Sequence, residues 1–291
     1  MDTAKLIGVL WNASYQLADL LDNSTLAVKQ LPTFMVPTTC GTGSEATGNA
    51  IVALPALKTK KGIVNRQLIP DEVYLDPVTV SELPRHIVAA TAVDALAHCV
   101  ECTTGNKATV LSDLYATAGA KLIFHNIVPA YRDQDVTARA NLLLGAYYGG
   151  VAITGSGTTA VHALSYPLGG RYHIPHGVSN AILFASVMAV NKPACVAQLA
   201  ALCDVVYPQH YAKGADRKAD IIVDSIATIV KEVDIPTNLR NFGLQDSDLE
   251  DLVEAAGQQQ RLLVNNPRVL TATDIRSIYV TVMGTKGVGN A

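Results

Sequence analysis

From Pro84 to its C-terminus the chain is written in long Ala- and Leu-rich stretches of helical period, broken only near Gly105, Ala130, Gly155, Pro175, Pro193, Gly214, Pro236 and Pro267. Breaks that short join neighbouring helices rather than strands, so about two thirds of the molecule is predicted to be all-helical. Before Pro84 the texture is mixed. The fold class that follows is an α/β N-terminal remnant, residues 1–84, joined to an all-α C-terminal domain, residues 85–291. With 49% hydrophobic and 16% charged residues, the chain can bury a large core.

In the N-terminal part, Leu6, Leu10, Ala13, Leu17 and Leu20 recur at helical spacing, with Asp2 and Thr3 offering cap chemistry. Thr33 to Val36, Ala50 to Ala53 and Val73 to Leu75 read as strands. In an open α/β sheet a helix such as the first follows a strand and a phosphate-binding turn, so the chain is expected to open in the middle of such a domain. Between the first two strands lies Pro37-Thr-Thr-Cys-Gly-Thr-Gly-Ser-Glu45. Its hydroxyls and backbone N–H groups can face an anion, or it is simply a turn.

A net charge of −3 and a pI near 6.1 leave no broad basic field, which argues against nucleic acid or an anionic membrane surface as partner. Apolar runs such as Ala181 to Val190 stop short of the roughly 20 residues that span a bilayer, and Met-Asp-Thr-Ala-Lys does not read as a secretory signal. A cytoplasmic location is expected. Five cysteines, Cys40, Cys99, Cys102, Cys195 and Cys203, are too few and too scattered for a disulfide framework. Cys99 and Cys102 form a C-x-x-C on a helical stretch with no second pair at zinc spacing, and packing is the expected role.

Asp94 and His98 stand four residues apart and therefore on one helix face, among Ile87, Val88, Ala92, Val93, Leu96 and Val100. A carboxylate and an imidazole in so apolar a setting must be paired or liganded. A satisfied Asp–His hydrogen bond inside a core meets that demand, and so does a metal. His162 and His176 flank a Gly- and Pro-rich turn, with one helix predicted to end near Gly169 and the next to start near Pro175. If both imidazoles turn to the same point as the first pair, three His and one Asp form a plausible Fe(II) or Zn(II) site.

Taken together, Pro37 to Glu45, Asp94-Ala-Leu-Ala-His98, His162-Ala-Leu-Ser-Tyr-Pro-Leu-Gly-Gly and Pro175-His-Gly-Val-Ser-Asn180 resemble, in order and spacing, the iron-containing (group III) alcohol dehydrogenases, over essentially the whole chain. The resemblance implies the architecture shared with dehydroquinate synthase, and Asp94, His98, His162 and His176 as ligands of Fe(II) or Zn(II). It implies that Thr38, Thr39, Thr42, Gly43 and Ser44 line NAD or NADP, with Thr47, Asn49 and Lys60 nearby. Lys60 reads equally as a solvated charge in Lys58-Thr-Lys-Lys61, and Asn180 as a structural helix residue. The implied activity is reversible hydride transfer between a small alcohol or diol and its aldehyde or ketone, with the metal as Lewis acid.

Two departures stand out. The Gly-Gly-Gly-Ser pyrophosphate turn of the family belongs just before Asp2, which predicts weakened cofactor affinity. Tyr166, counted with the catalytic set, stands where several members have a proton-relaying histidine; His173 is a candidate substitute and also reads as a surface residue. His86, His125 and His210 read as structural. A dehydroquinate-synthase-like lyase would need Lys or Arg near the ligands, where Arg171 is the nearest candidate. A shortened, non-catalytic metal-binding paralogue would keep metal without cofactor. Association into a homodimer or larger assembly is expected from the apolar surface and sheet edge of a partial α/β half.

Overall fold

The computed structural model describes residues 1–54 and 59–284, with the side chains of Thr59 and Lys60 outside that description. The α/β part opens with α1 (Asp2–Leu10) and α2 (Leu17–Asp22), continues through β1 (Phe34–Met35) and the antiparallel hairpin β2 (Asn49–Leu54) and β3 (Thr59–Val64), and ends with β4 (Glu72–Val73). β4 pairs in parallel with β1, Phe34 opposite Glu72 and Met35 opposite Val73. In the hairpin Asn49 faces Val64 and Leu54 faces Thr59. The lysine-rich β3 was hidden by its charges.

The single N-terminal helix expected from the leucine spacing is two helices. Asn12 takes a left-handed φ of 51°, and the Tyr15 hydroxyl fills the break, donating to Val9 O at 2.8 Å and accepting from Val28 N at 2.9 Å. Asp2 does not cap its own helix either. Its carboxylate accepts from Ser44 Oγ at 2.8 Å and Ile51 N at 2.9 Å, stitching the start of α1 to the Pro37–Glu45 loop and to β2.

From Arg85 onward every regular element among the described residues is helical. The series is α3 (Arg85–Thr104), α4 (Val110–Arg132), α5 (Val136–Ser156), α6 (Ala160–Tyr172), α7 (His176–Asn191), α8 (Val196–Val206), α9 (Ala215–Glu232), α10 (Leu249–Gly257), α11 (Gln260–Leu263) and α12 (Ala272–Met283). Side-chain oxygens start several of them, as when Thr109 accepts from Ser112 N at 3.1 Å and Asp135 from Ala138 N at 2.7 Å. α6 runs three residues past Gly169 before His173, left-handed at φ 55°, closes it.

α3 is the axis, packed by α4, α5 and α7, and every residue from Ala92 to Thr104 is buried. It is also long and apolar enough to cross a membrane, which the sequence reading overlooked because Asp94, His98 and Glu101 interrupt its runs; 89% of that stretch is buried inside the fold, the mark of a core helix. Two close backbone approaches set its neighbours. A Cβ on Gly177, in the first turn of α7, would meet Ala90 O of α3 at 2.2 Å, and one on Gly150 of α5 would meet Gly43 O at 2.2 Å. Glycine at these positions lets α7 sit on α3 and the Pro37–Glu45 loop sit on α5.

Candidate active site

The approach at Gly177 decides where His176 goes: it starts α7 directly over the Asp94 turn of α3, while α6 brings His162 from the other side. Asp94 Oδ1 lies 3.5 Å from His162 Nε2, 3.6 Å from His176 Nε2 and 3.9 Å from His98 Nε2. Ligand atoms of Asp94, His162 and His176 all fall within 4.8 Å of one another; His98 stands just outside that set, its ring stacked on His162 at 4.6 Å between centroids. The structure thus gathers all four residues, three of them tightly.

One buried acid that the sequence reading passed over organises this cluster. Glu101 is fully buried on α3, and its Oε1 accepts from Thr159 N at 3.1 Å, Thr159 Oγ1 at 2.6 Å and Val161 N at 2.8 Å, while Oε2 meets His162 Nδ1. With Nδ1 so engaged, Nε2 of His162 is the atom turned to Asp94. A carboxylate behind a histidine fixes ring orientation and raises its basicity, as it does behind metal-bound imidazoles generally. The signal was in the sequence: Glu101 is seven residues after Asp94 and three after His98, on the same face of α3.

Charge and burial oppose one another here. Burial pushes the Asp94 carboxyl up, but His98, His176 and His162 outweigh it and hold it well below the usual carboxylate range. Burial presses His98 down to about 4, which keeps it neutral. On His162 burial works in the same direction, yet Glu101 and Asp94 prevail and lift it to about 9.

Asn180, expected to be a structural residue one turn along α7, in fact points into the cluster. Its Nδ2 donates to Asp94 Oδ1 at 2.6 Å and lies 3.2 Å from His162 Nε2 and 3.3 Å from His176 Nε2. The Asp94 carboxylate and the Nε2 atoms of two imidazoles therefore converge on one point, around the Asn180 amide nitrogen. Asn180 Oδ1 and His98 Nδ1 are buried without a hydrogen-bond partner among the described residues. Nitrogen and oxygen donors of this number and closeness suit Fe(II) or Zn(II), and Asp94, His98, His162 and His176 are the residues that could hold the ion.

The cluster forms one wall of a cavity of about 910 Å³ that also reaches Thr38, Thr39, Thr42, Ser44, Thr47 and Asn49 of the α/β part. Gly43 is not on that wall, being pressed against Gly150. The Lys60 side chain lies outside the described residues; its backbone pairs with Ala53. Thr47 is committed structurally as well, since the buried Lys5 ammonium donates to its carbonyl at 2.7 Å and its hydroxyl at 3.0 Å, and to Asn49 O at 2.9 Å. Tyr166 lies beside the cluster, its ring 6.1 Å from that of His176, and burial raises its hydroxyl above the usual tyrosine value. It stays protonated near neutrality, a hydrogen-bonding group more than a proton shuttle. His173 is exposed and does not line the cavity. All five cysteines are buried free thiols, and burial pushes Cys102 up to about 12, in keeping with packing.

Comparison with known proteins fits this geometry. Residues 1–77 match the family model for iron-containing alcohol dehydrogenase, and residues 88–283 that for the C-terminal part of the Fe-containing alcohol dehydrogenase family. Long-chain-alcohol dehydrogenase 1 of Geobacillus thermodenitrificans is 36% identical over 283 residues, 96% of this chain and 71% of that protein. The crystal structure of a 1,3-propanediol oxidoreductase superposes with a TM-score of 0.91 at 27% identity, covering 97% of this chain and 74% of its own. That of sulfoacetaldehyde reductase from Bifidobacterium kashiwanohense, in complex with NAD+, gives 0.87 at 26%, covering 98% and 74%. With both halves of its length matched, its fold shared and its Asp and His residues drawn together in the cavity between them, this chain belongs to the iron-containing alcohol dehydrogenase family.

Proposed function

We propose that the chain catalyses reversible hydride transfer between a small alcohol or diol and NAD or NADP, using one Fe(II) or Zn(II) held by Asp94, His98, His162 and His176. The observation that carries this reading is the convergence of Asp94, His162 and His176 on one point at the wall of a cavity that also reaches the threonine-rich loop. When bound, the metal supplies Lewis acidity toward an alcohol or carbonyl oxygen, and the nicotinamide takes or gives the hydride. The chain's own groups do the rest. Glu101 holds His162 in register, Asp94 stays anionic, and Thr38, Thr39, Thr42 and Ser44 offer hydroxyls to the cofactor. Tyr166 keeps a protonated hydroxyl beside His176.

The alcohols and diols named for relatives, and the NAD+ bound to the sulfoacetaldehyde reductase, support the reaction class and the cofactor. Assembly into homodimers or larger, and a cytoplasmic location, belong to the same reading. The first is supported by the exposed Trp11, Phe34 and Tyr74 of the α/β part, the second by thiols that are all free. The test is anaerobic loading with Fe(II) or Zn(II), elemental analysis, titration with NAD(H) and NADP(H), and hydride transfer followed by nicotinamide absorbance. About one metal per chain, cofactor binding and primary-alcohol oxidation are expected; a protein that takes up no metal sinks the reading.

A further inference from the structure

Arg261 was not singled out by sequence, because one arginine after three glutamines reads as a solvated charge. The fold puts it elsewhere. It sits on α11, lines the cavity that holds the Asp–His cluster, and lies so close to Gly62 of β3 that a Cβ there would come within 3.6 Å of Nη2. The guanidinium thus closes the seam between the hairpin and the helical body. On its inner side it stands next to the Tyr166 hydroxyl, where its charge offsets part of the upward push of burial.

Arg171, Arg240 and Arg268 each meet a carboxylate at 3.2 Å or less: Asp251, Asp246 and Asp274. Arg261 has no such ion pair among the described residues. Among the described residues the cavity offers two carboxylates, and both are committed: Asp2 to Ser44 and Ile51, Asp94 to the histidines and Asn180. A planar, permanently charged fork facing a concave wall without a counter-charge is the complement of a two-oxygen anion.

We propose that Arg261, with the Tyr166 hydroxyl beside it, receives an anionic group at the far end of the substrate, so that the chain acts on short ω-hydroxy acids and their ω-oxo counterparts in preference to uncharged alcohols. This rests on the dehydrogenase reading for the reacting end and adds the recognition of the other end. The spacer is short, because one aromatic ring separates Arg261 from His176.

The test uses the full chain loaded with metal and supplied with nicotinamide cofactor. Three- to five-carbon ω-hydroxy acids are compared with the α,ω-diols of equal length, in wild type, Arg261→Met and Arg261→Lys. Glutarate, which cannot be oxidised, is titrated calorimetrically in parallel. In wild type kcat/KM favours one of the acids; Arg261→Met lowers the acid-to-diol ratio at least about tenfold, the scale of a charge-assisted hydrogen bond, and Arg261→Lys recovers part of it. Glutarate binding weakens in step. An acid-to-diol ratio unmoved by Arg261→Met overturns the proposal and leaves the dehydrogenase reading intact. A raised KM for cofactor with an unchanged ratio also overturns it, since Arg261 then serves a cofactor phosphate. Loss of the preference in Lys107→Met or Arg66→Met, and not in Arg261→Met, moves the anion to another cavity cation and overturns it too. If no alcohol is oxidised but glutarate binding depends on Arg261, the anion site stands and the dehydrogenase reading falls.

Discussion

The two halves of the molecule hold their functional residues in different ways. In the helical half, Asp94, His98 and Glu101 sit on a helix that is buried on every side, and His162 is braced from behind by a carboxylate that three further donors fix. In the α/β half, the loop that faces the cavity is carried by two two-stranded sheets and a separate small core of Val9, Leu20, Ala27, Ala50, Ile63 and Leu68. Around that core Ile7, Trp11, Phe34, Val36, Tyr74 and Val78 stay exposed, Val78 by 74%. The Asp–His cluster is preorganised by burial, and the threonine-rich loop by a few polar ties such as Asp2 to Ser44 and Lys5 to Thr47.

If that contrast is right, the largest effects come from the helical half. His162→Ala removes a ligand atom from the point of convergence. Bound metal is expected to fall from about one per chain to near zero after gel filtration, as read by elemental analysis, with far-ultraviolet circular dichroism unchanged. Retention of stoichiometric metal would put the ion elsewhere. Glu101→Gln keeps the size of the side chain but replaces an acceptor that serves Thr159, Val161 and His162 at once. Competition with a chromophoric chelator should show metal affinity about 10- to 100-fold weaker, the usual cost of losing a buried partner behind a ligand. Equal affinity would mean that Glu101 serves packing alone.

The same contrast explains what was legible in the sequence. Asp94 and His98 announced themselves because a helical repeat fixes which residues share a face, and Pro and Gly marked most of the helix breaks. The convergence of His162 and His176 rested on resemblance, since no local rule says where two helices cross; the crossing is set by Gly177 against Ala90. The contact of Asn180 with the cluster and the place of Arg261 were not legible for that reason: their neighbours are 86 and 95 residues away in sequence, Asp94 for one and Tyr166 for the other. In the α/β half the leucine period ran on through Ala13 while the chain turned at Asn12, because the six-residue break from Trp11 to Gln16 leaves the spacing almost intact. Lysines masked β3, whose apolar pattern is left to Ile63, the residue it contributes to the six-residue core, while Lys61 is exposed.

A smaller effect, spread over many residues, separates the halves directly. Native-state hydrogen exchange should find the slowest amides in α3, α5 and α7, near the free energy of global unfolding, and faster exchange by about 10²-fold or more in β1, β4 and α2, where small sheets and exposed apolar side chains allow local opening. Exchange in β1 and β4 as slow as in α3 would dissolve the comparison.

The smallest effect expected belongs to Lys5 alone. Its ammonium is buried under three acceptors, and desolvation, only partly offset by Asp2 and Glu45, lowers it from 10.5 to about 8. Lys5→Met leaves the carbonyls of Thr47 and Asn49 without this donor, at a cost of about 1–3 kcal/mol in urea unfolding near neutrality. The sign of the pH dependence follows from proton counts: between pH 8 and 10.5 the unfolded chain still holds a proton that the folded chain has released, so wild-type stability gains from this group as pH rises, by at most about 1.4 kcal/mol per pH unit. The methionine variant has no such group, and its deficit relative to wild type should widen across that window. A deficit that stays flat from pH 7 to 10 would show that the three acceptors compensate the burial, and that the α/β half is tied down at Lys5 as firmly as the helical half is at Glu101.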